Sequence, residues 1–178
     1  MNSFYTQDEL SSLGFGSIGS NVLVSRFARF YGIGEISIGS NVRIDDFCIL
    51  SGKISLGSHI HISAYCAMYG ANGIEMEDYT GLSPRCSVFS ASDDFSGEFQ
   101  VGPMVDKSRT NVTGGRVLIG RYAQVGSGCV VLPDLTVGEG VAVGAMSLVN
   151  KSLEPWGIYA GIPAMRIKDR KKDLLRPI

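Results

Sequence analysis

The chain carries two histidines, His59 and His61, one residue apart. Imidazole is the side chain whose ordinary pKa lets it take and return a proton near neutrality. These two positions are therefore the first candidates for a general base. The second chemical feature is an adjacent acid pair, Asp93 and Asp94, in Ser90-Ala91-Ser92-Asp93-Asp94-Phe95. A carboxylate beside an imidazole raises its basicity and fixes its tautomer. In a loop, the same acids also serve as a solvated pair or an Asx-turn. Two acids could hold a cation, but no third ligand stands at a recognisable spacing, and no metal is expected. Four cysteines, Cys48, Cys66, Cys86 and Cys129, form no CxxC pair. That spacing argues against a zinc ribbon or a redox motif.

Length and charge bound what these groups can belong to. The chain has 178 residues and a formal net charge of −1, which suits one domain with a real core and offers no broad basic surface for nucleic acid. No apolar run approaches the roughly 20 residues of a membrane span. The stretch Met1-Asn2-Ser3-Phe4-Tyr5 lacks a leader's basic and apolar regions, so a cytoplasmic protein is expected.

An internal repeat positions these groups. Ile18-Gly19-Ser20-Asn21-Val22 recurs as Ile38-Gly39-Ser40-Asn41-Val42 and as Leu56-Gly57-Ser58-His59-Ile60. Ile119-Gly120, Val137-Gly138 and Val143-Gly144 open later copies. Each unit spans six residues, opens on an aliphatic and carries a small or β-branched residue four places on. The openers come in threes, from Ile18, Val24 and Phe30 to Val137, Val143 and Val149, which makes about six rungs of three short strands. The units opened by Phe30 and Met68 run to eight residues, a surplus that keeps the alternation in phase. One such strand cannot bury its apolar face alone; stacked coils bury it together, roughly 4.8 Å apart. Gly and Asn at the corners supply the positive φ a sharp turn needs. An ordinary β-sandwich does not explain an in-phase recurrence of three units. The cysteines each lie four places after a middle-strand opener, with Ala28 and Ser147 at the two ends of that series. They read as small buried fillers, in keeping with a reducing compartment.

The ends read as caps on a single domain, 1–178. Thr6-Gln7-Asp8-Glu9 is a capping-box pattern that Gly14 can close, giving an N-terminal cap over 1–15. The coil then occupies 16–158, with an extruded loop at 90–116, and a C-terminal segment follows at 159–178. The run Arg166 to Leu175 reads as a short helix anchored by Leu174 and Leu175.

The six-residue ladder, the loop between Val88 and Ile119 and the closing run Tyr159-Ala160-Gly161-Ile162-Pro163-Ala164-Met165-Arg166 together resemble the hexapeptide-repeat acyltransferases. Galactoside, maltose and serine acetyltransferases and the sugar O-acetyltransferases of surface-polysaccharide pathways are the members it looks like. The resemblance implies an all-β, left-handed parallel β-helix, against the usual right-handed crossover. It also implies a homotrimer with active sites between subunits, acetyl-CoA as co-substrate, no metal, and an acetyl group moved to a hydroxyl or amine of a small-molecule sugar.

It further implies where the chemistry sits. The family's catalytic histidine opens the extruded loop, and the matching position here holds Asp93. His61 is the substitute general base, with Asp93 or Asp94 orienting it or binding the sugar. His59 takes a corner where other rungs have Asn. Ser63, Tyr65, Tyr69, Asn72 and Arg85 are the expected acceptor contacts. The coenzyme A positions are Gly126-Ser127, Gly144-Ala145, Asn150-Lys151 and Arg166, with Lys168 joining Arg166 on the phosphates. A backbone amide at Ser127 or Ala145 would hold the thioester oxygen. Other readings on the same fold are a non-catalytic scaffold and an acyltransferase with a non-sugar acceptor. A γ-carbonic anhydrase needs three zinc-binding histidines, one more than the chain has.

Overall fold

Alternation along each unit makes it a strand. In Val42–Ile44 and Ile60–Ile62 the outer aliphatics are buried and the residue between them is exposed, the period of two that a half-buried strand requires. A computed structural model describes residues 3–176; Met1 and Asn2, part of the stretch read for a leader, lie outside it. The strands wind into a parallel β-solenoid with three faces. The first face stacks Ser17–Ile18, Ile36–Ile38, 54–56, 74–76, Val117–Ile119 and Leu135–Val137. The second stacks Leu23–Val24, Val42–Ile44, Ile60–Ile62, Gly81–Leu82, Gln124–Val125, Ala142–Val143 and Gly157–Ala160. The third stacks Arg29–Tyr31, 49–52, 67–70, Ser87–Phe89, Val130–Val131 and Leu148–Val149. Six turns are complete; Leu153 and Gly157–Ala160 begin a seventh. Among the described residues no helix is long and apolar enough to cross a membrane.

The openers fill the prism, and the four thiols stack inside one edge of it, fully buried. Each thiol donates to a carbonyl one rung on: Cys48 Sγ to Ser63, Cys66 Sγ to Ser83, Cys86 Sγ to Gly126 and Cys129 Sγ to Gly144, all at 3.0–3.1 Å. The contact with Cys48, followed by burial, pushes the Cys66 thiol up to about 12, and burial raises Cys129. Such thiols are inert fillers.

The corners hold more than Gly and Asn. Asn21 and Asn41 take positive φ, but so do Phe47, His59, Tyr65, Tyr79, Arg85, Tyr122, Met146 and Trp156, at 56–65°. A large residue in the left-handed region costs about 1–2 kcal/mol. Stacking on the next rung offsets part of this, about 0.5–1.5 kcal/mol per ring pair. His59 lies flat on Tyr79 at 4.5 Å, Tyr79 stacks on Tyr122, and Phe27, Phe47 and Tyr65 form a second stack.

The N-terminal cap is helix Gln7–Ser12, with the capping box of Thr6 and Glu9 in place and Leu10 buried against the first rung. The C-terminal helix expected over Arg166 to Leu175 is not formed. Met165–Asp169 is a strand, antiparallel to Gly157–Ala160, and only a 3-10 turn, Asp173–Leu175, follows. All five strand residues are exposed, so the segment has no apolar stripe to reward a helix. The last coil strand leaves an open edge, and backbone pairing along it satisfies groups that would otherwise stay unpaired. Leu174 and Leu175 remain partly exposed and anchor nothing.

Candidate active site

The chemistry-bearing residues fall into three places. The first is the corner between the third and first faces. There the chain leaves the coil after Ser90 and returns at Gly115 as a hairpin of Ala91–Asp93 and Val112–Gly114. Ser90 is buried and holds the root: its Oγ accepts from the Asn72 amide at 2.8 Å and donates to the Tyr69 carbonyl at 3.0 Å, and its carbonyl accepts Asn72 Nδ2 at 3.0 Å. Gly114, at φ 147°, lies so close that a Cβ there would meet the Ser90 carbonyl at 2.4 Å. The hairpin, together with Leu132 and Pro133 of the next rung, encloses an open cleft of about 420 Å³. Phe89, Phe95 and Val112 complete its apolar walls, and Asp93 is its one ionisable group.

The two hairpin aspartates differ. Asp94 is spent on the loop: Oδ1 accepts the Ser96 amide and Oδ2 accepts Asn111 Nδ2, both at 2.8 Å. The Ser96 and Asn111 hydrogen bonds hold its carboxyl below the ordinary range. The Asp93 carboxylate takes no hydrogen bond among the described residues, and its side chain faces the cleft. Tyr69 and Asn72 adjoin this cleft, Tyr69 by stacking at 5.2 Å on Phe89 and Asn72 through Ser90. Asn150 and Lys151 stand at the same corner, further along the coil, both exposed.

The second place is the corner between the second and third faces. Ser63, Arg85, Ser127 and Ala145 stand there, with Ser83 between them. Arg85 lies 5.9 Å over the Tyr65 ring. The Ser127 and Ala145 amides donate no backbone hydrogen bond, which leaves two donors at this edge. The third face joins the two corners. Its outward residues include the small or aliphatic Ala67, Ser87, Val130 and Leu148 beside the stacked rings of Tyr69 and Phe89.

The third place is the second face, which lies opposite the hairpin's corner. His61 is there, and its partner is neither Asp93 nor Asp94. Its Nε2 sits 2.7 Å from Asp45 Oδ2, while Arg43 Nε holds Asp45 Oδ1 at 2.6 Å. Burial pushes the Asp45 carboxyl up, yet the His61 and Arg43 hydrogen bonds outweigh it and keep the group low. Arg43 also lies 5.3 Å over the Phe4 ring, and the cap segment pairs at Ser25. Arg166 ends the same face, donating to Tyr159 Oη at 3.1 Å and Asp169 Oδ1 at 2.8 Å. Within one chain, then, the expected coenzyme A positions occupy three separate edges, and His61 is apart from the hairpin acids.

Sequence reasoning missed Asp45 and the cleft walls Phe95, Val112, Leu132 and Pro133. The signal for Asp45 was present: it precedes His61 by 16 residues, close to one rung's length, which puts the two on neighbouring strands. The walls come from loop closure, for which a repeat gives no register.

Among the described residues no group of histidine, cysteine or acidic side chains could hold a metal. No family model matches the chain. A dTDP-4-amino-4,6-dideoxy-D-glucose acyltransferase of Escherichia coli is 40% identical over 170 residues, covering 94% of this chain and 88% of that protein. The N-acyltransferase AntD of Bacillus cereus, solved with dTDP and 3-hydroxybutyryl-CoA, superposes with a TM-score of 0.96 at 50% identity, over 98% of this chain and 94% of that one. A variant of AntD at one serine has been solved with dTDP-4-amino-4,6-dideoxyglucose and coenzyme A, and a variant at one aspartate with dTDP and coenzyme A. A chloramphenicol acetyltransferase of Klebsiella aerogenes is 41% identical over 59 residues, a third of this chain and 28% of that protein. The first two of these proteins match nearly the whole of this chain over most of their own length. The chain belongs to the hexapeptide-repeat family of CoA-dependent sugar acyltransferases.

Proposed function

We propose that this protein transfers a short acyl group from acyl-CoA to the amino group of a nucleotide-linked 4-amino-4,6-dideoxy sugar. The observation that carries the reading is Asp93, a carboxylate without a partner among the described residues and the one ionisable group of a mostly apolar cleft. Such a site takes an ammonium or amine with few competing partners. Bound there as the free amine, any extra proton having passed to solvent, the nitrogen donates an N–H to Asp93 and presents its lone pair to the thioester carbonyl, and a C–N bond forms as the C–S bond breaks. The thiolate leaves and takes up the proton that the nitrogen sheds. The small outward residues Ala67, Ser87 and Val130 leave room on the third face for the acyl and pantetheine groups, and the amides of Ser127 and Ala145 are donors for the thioester oxygen. Asn150 and Lys151 suit the phosphates as exposed polar groups; Arg166 suits them less, because its guanidinium is already engaged. The two relatives above act on or bind dTDP-linked sugars, which supports a dTDP acceptor. The donor includes acetyl-CoA and extends to 3-hydroxybutyryl-CoA, the ligand of AntD.

The working form is a cytoplasmic homotrimer. Free buried thiols suit a reducing compartment. Phe27, Phe47 and Tyr65 along one edge and Phe99 and Met104 on the loop are exposed, apolar surface that a neighbouring subunit would cover. A second reading makes His61 the base, brought to the hairpin by that neighbour. The observation in its favour is Asp45, which fixes the ring with Nδ1 unengaged. The test is thiol release on mixing the protein, acetyl-CoA or 3-hydroxybutyryl-CoA, and dTDP-4-amino-4,6-dideoxyglucose. Turnover with an amide product supports the proposal. Turnover only with sugars that lack an amine rejects it.

A further inference from the structure

The hairpin's register points to a specificity device beside the amine. Asp93 and Val112 are directly opposed across the antiparallel pair. Opposed residues put their side chains on the same side of a hairpin, within contact distance. Leu132 and Phe95 close the same wall. On the proposed acceptor, the carbon that bears the amine adjoins the carbon that bears C6. With the nitrogen at Asp93, either the C6 substituent or the hydroxyl on the other neighbouring carbon comes against Val112, and an apolar side chain suits the C6 methyl. A methyl group there meets the apolar side chains of Val112 and Leu132. A hydroxymethyl group would give up its water hydrogen bonds for little in return, since Asp93 is taken by the amine and the Ser92 hydroxyl already donates to the Asp93 carbonyl.

We infer that Val112, backed by Leu132, selects acceptors with a methyl group rather than a hydroxymethyl group next to the amine-bearing carbon. The inference rests on the amine-acceptor reading above. Val112 is 60% exposed in the single chain, so its side chain is open to a ligand in the cleft. An apolar wall rejects an added hydroxyl only moderately, by about 10–100-fold.

The test compares kcat/KM for dTDP-4-amino-4,6-dideoxyglucose and its 6-hydroxy counterpart, in the wild type and in Val112→Thr. Threonine keeps the shape and the strand preference and adds one hydroxyl as a partner. Leu132→Met is the control for disturbance of the wall without a new polar group. The inference expects the 6-deoxy sugar to be preferred by at least tenfold. It expects Val112→Thr to narrow that ratio several-fold by improving the 6-hydroxy sugar, and Leu132→Met to leave the ratio within about twofold. Equal kcat/KM for both sugars in the wild type would overturn the inference and leave the amine-acceptor reading standing. A strong preference that Val112→Thr does not change would remove Val112 as its source. No transfer to either sugar would overturn both.

Discussion

The hairpin cleft and the second face each hold a carboxylate near candidate chemistry, and the two carboxylates are in opposite states. Asp45 is satisfied twice over, by Arg43 and by His61, and its side chain is only 16% exposed. Asp93 stands in an apolar cleft with no partner among the described residues. A carboxylate that already has its hydrogen bonds stabilises its surroundings; one without them is available to a ligand, and keeping it there costs stability. On the proposed reading, a carboxylate left free for a ligand, more than proximity to a histidine, marks the acceptor site.

The comparison breaks most sharply at Asp93. Asp93→Asn keeps the shape and removes the charge, and should lower kcat/KM by about 10²–10³-fold while leaving thermal stability equal to the wild type's or slightly higher. Steady-state kinetics together with a melting curve check it. Ser90→Ala comes next, because it strips the hairpin's root of its hydroxyl and leaves the Asn72 amide unpartnered. It should cost about 1–3 kcal/mol in chemical denaturation and lower activity through a misplaced hairpin. Asp94→Ala frees the loop turn without touching the cleft, and should raise the acceptor KM several-fold with little change in the melting temperature. His61→Asn should change kcat/KM less than about threefold, which sharpens the contrast with Asp93. The smallest effect is on acid stability. Asp45 has a folded pKa below its ordinary 3.8, so its contribution is present above that value and is lost as pH falls through the folded one. Asp45→Asn should flatten the acid limb of the stability curve below about pH 4 and leave the neutral limb's slope unchanged.

Most of the coil was legible in the sequence. The openers fall inside, the cysteines stack where their phase puts them, and the capping box closes the first helix. A repeat is legible because each unit makes the same contacts, so one register predicts all of them. The corners were legible only in part. Side-chain stacking carries tyrosines and a tryptophan through φ values that composition assigns to Gly and Asn. The C-terminal segment misled because its charge pattern suits a solvated helix, whereas an open strand edge decided its fold. At the site, the acid pair was visible but its division of labour was not. That depends on Asn111 and Ser96 reaching Asp94 across a loop that follows no repeat. His61 was visible too, while its partner Asp45 lies on the neighbouring rung rather than in the hairpin.

The most direct test of the account places Asp93→Asn and His61→Asn side by side, with 3-hydroxybutyryl-CoA or acetyl-CoA and the dTDP-linked amino sugar, each as a folded protein of wild-type oligomeric state. The account predicts a loss of about 10²–10³-fold in kcat/KM for Asp93→Asn and near-wild-type turnover for His61→Asn. The reverse order, with full activity lacking the Asp93 charge and turnover lost with His61, would contradict it.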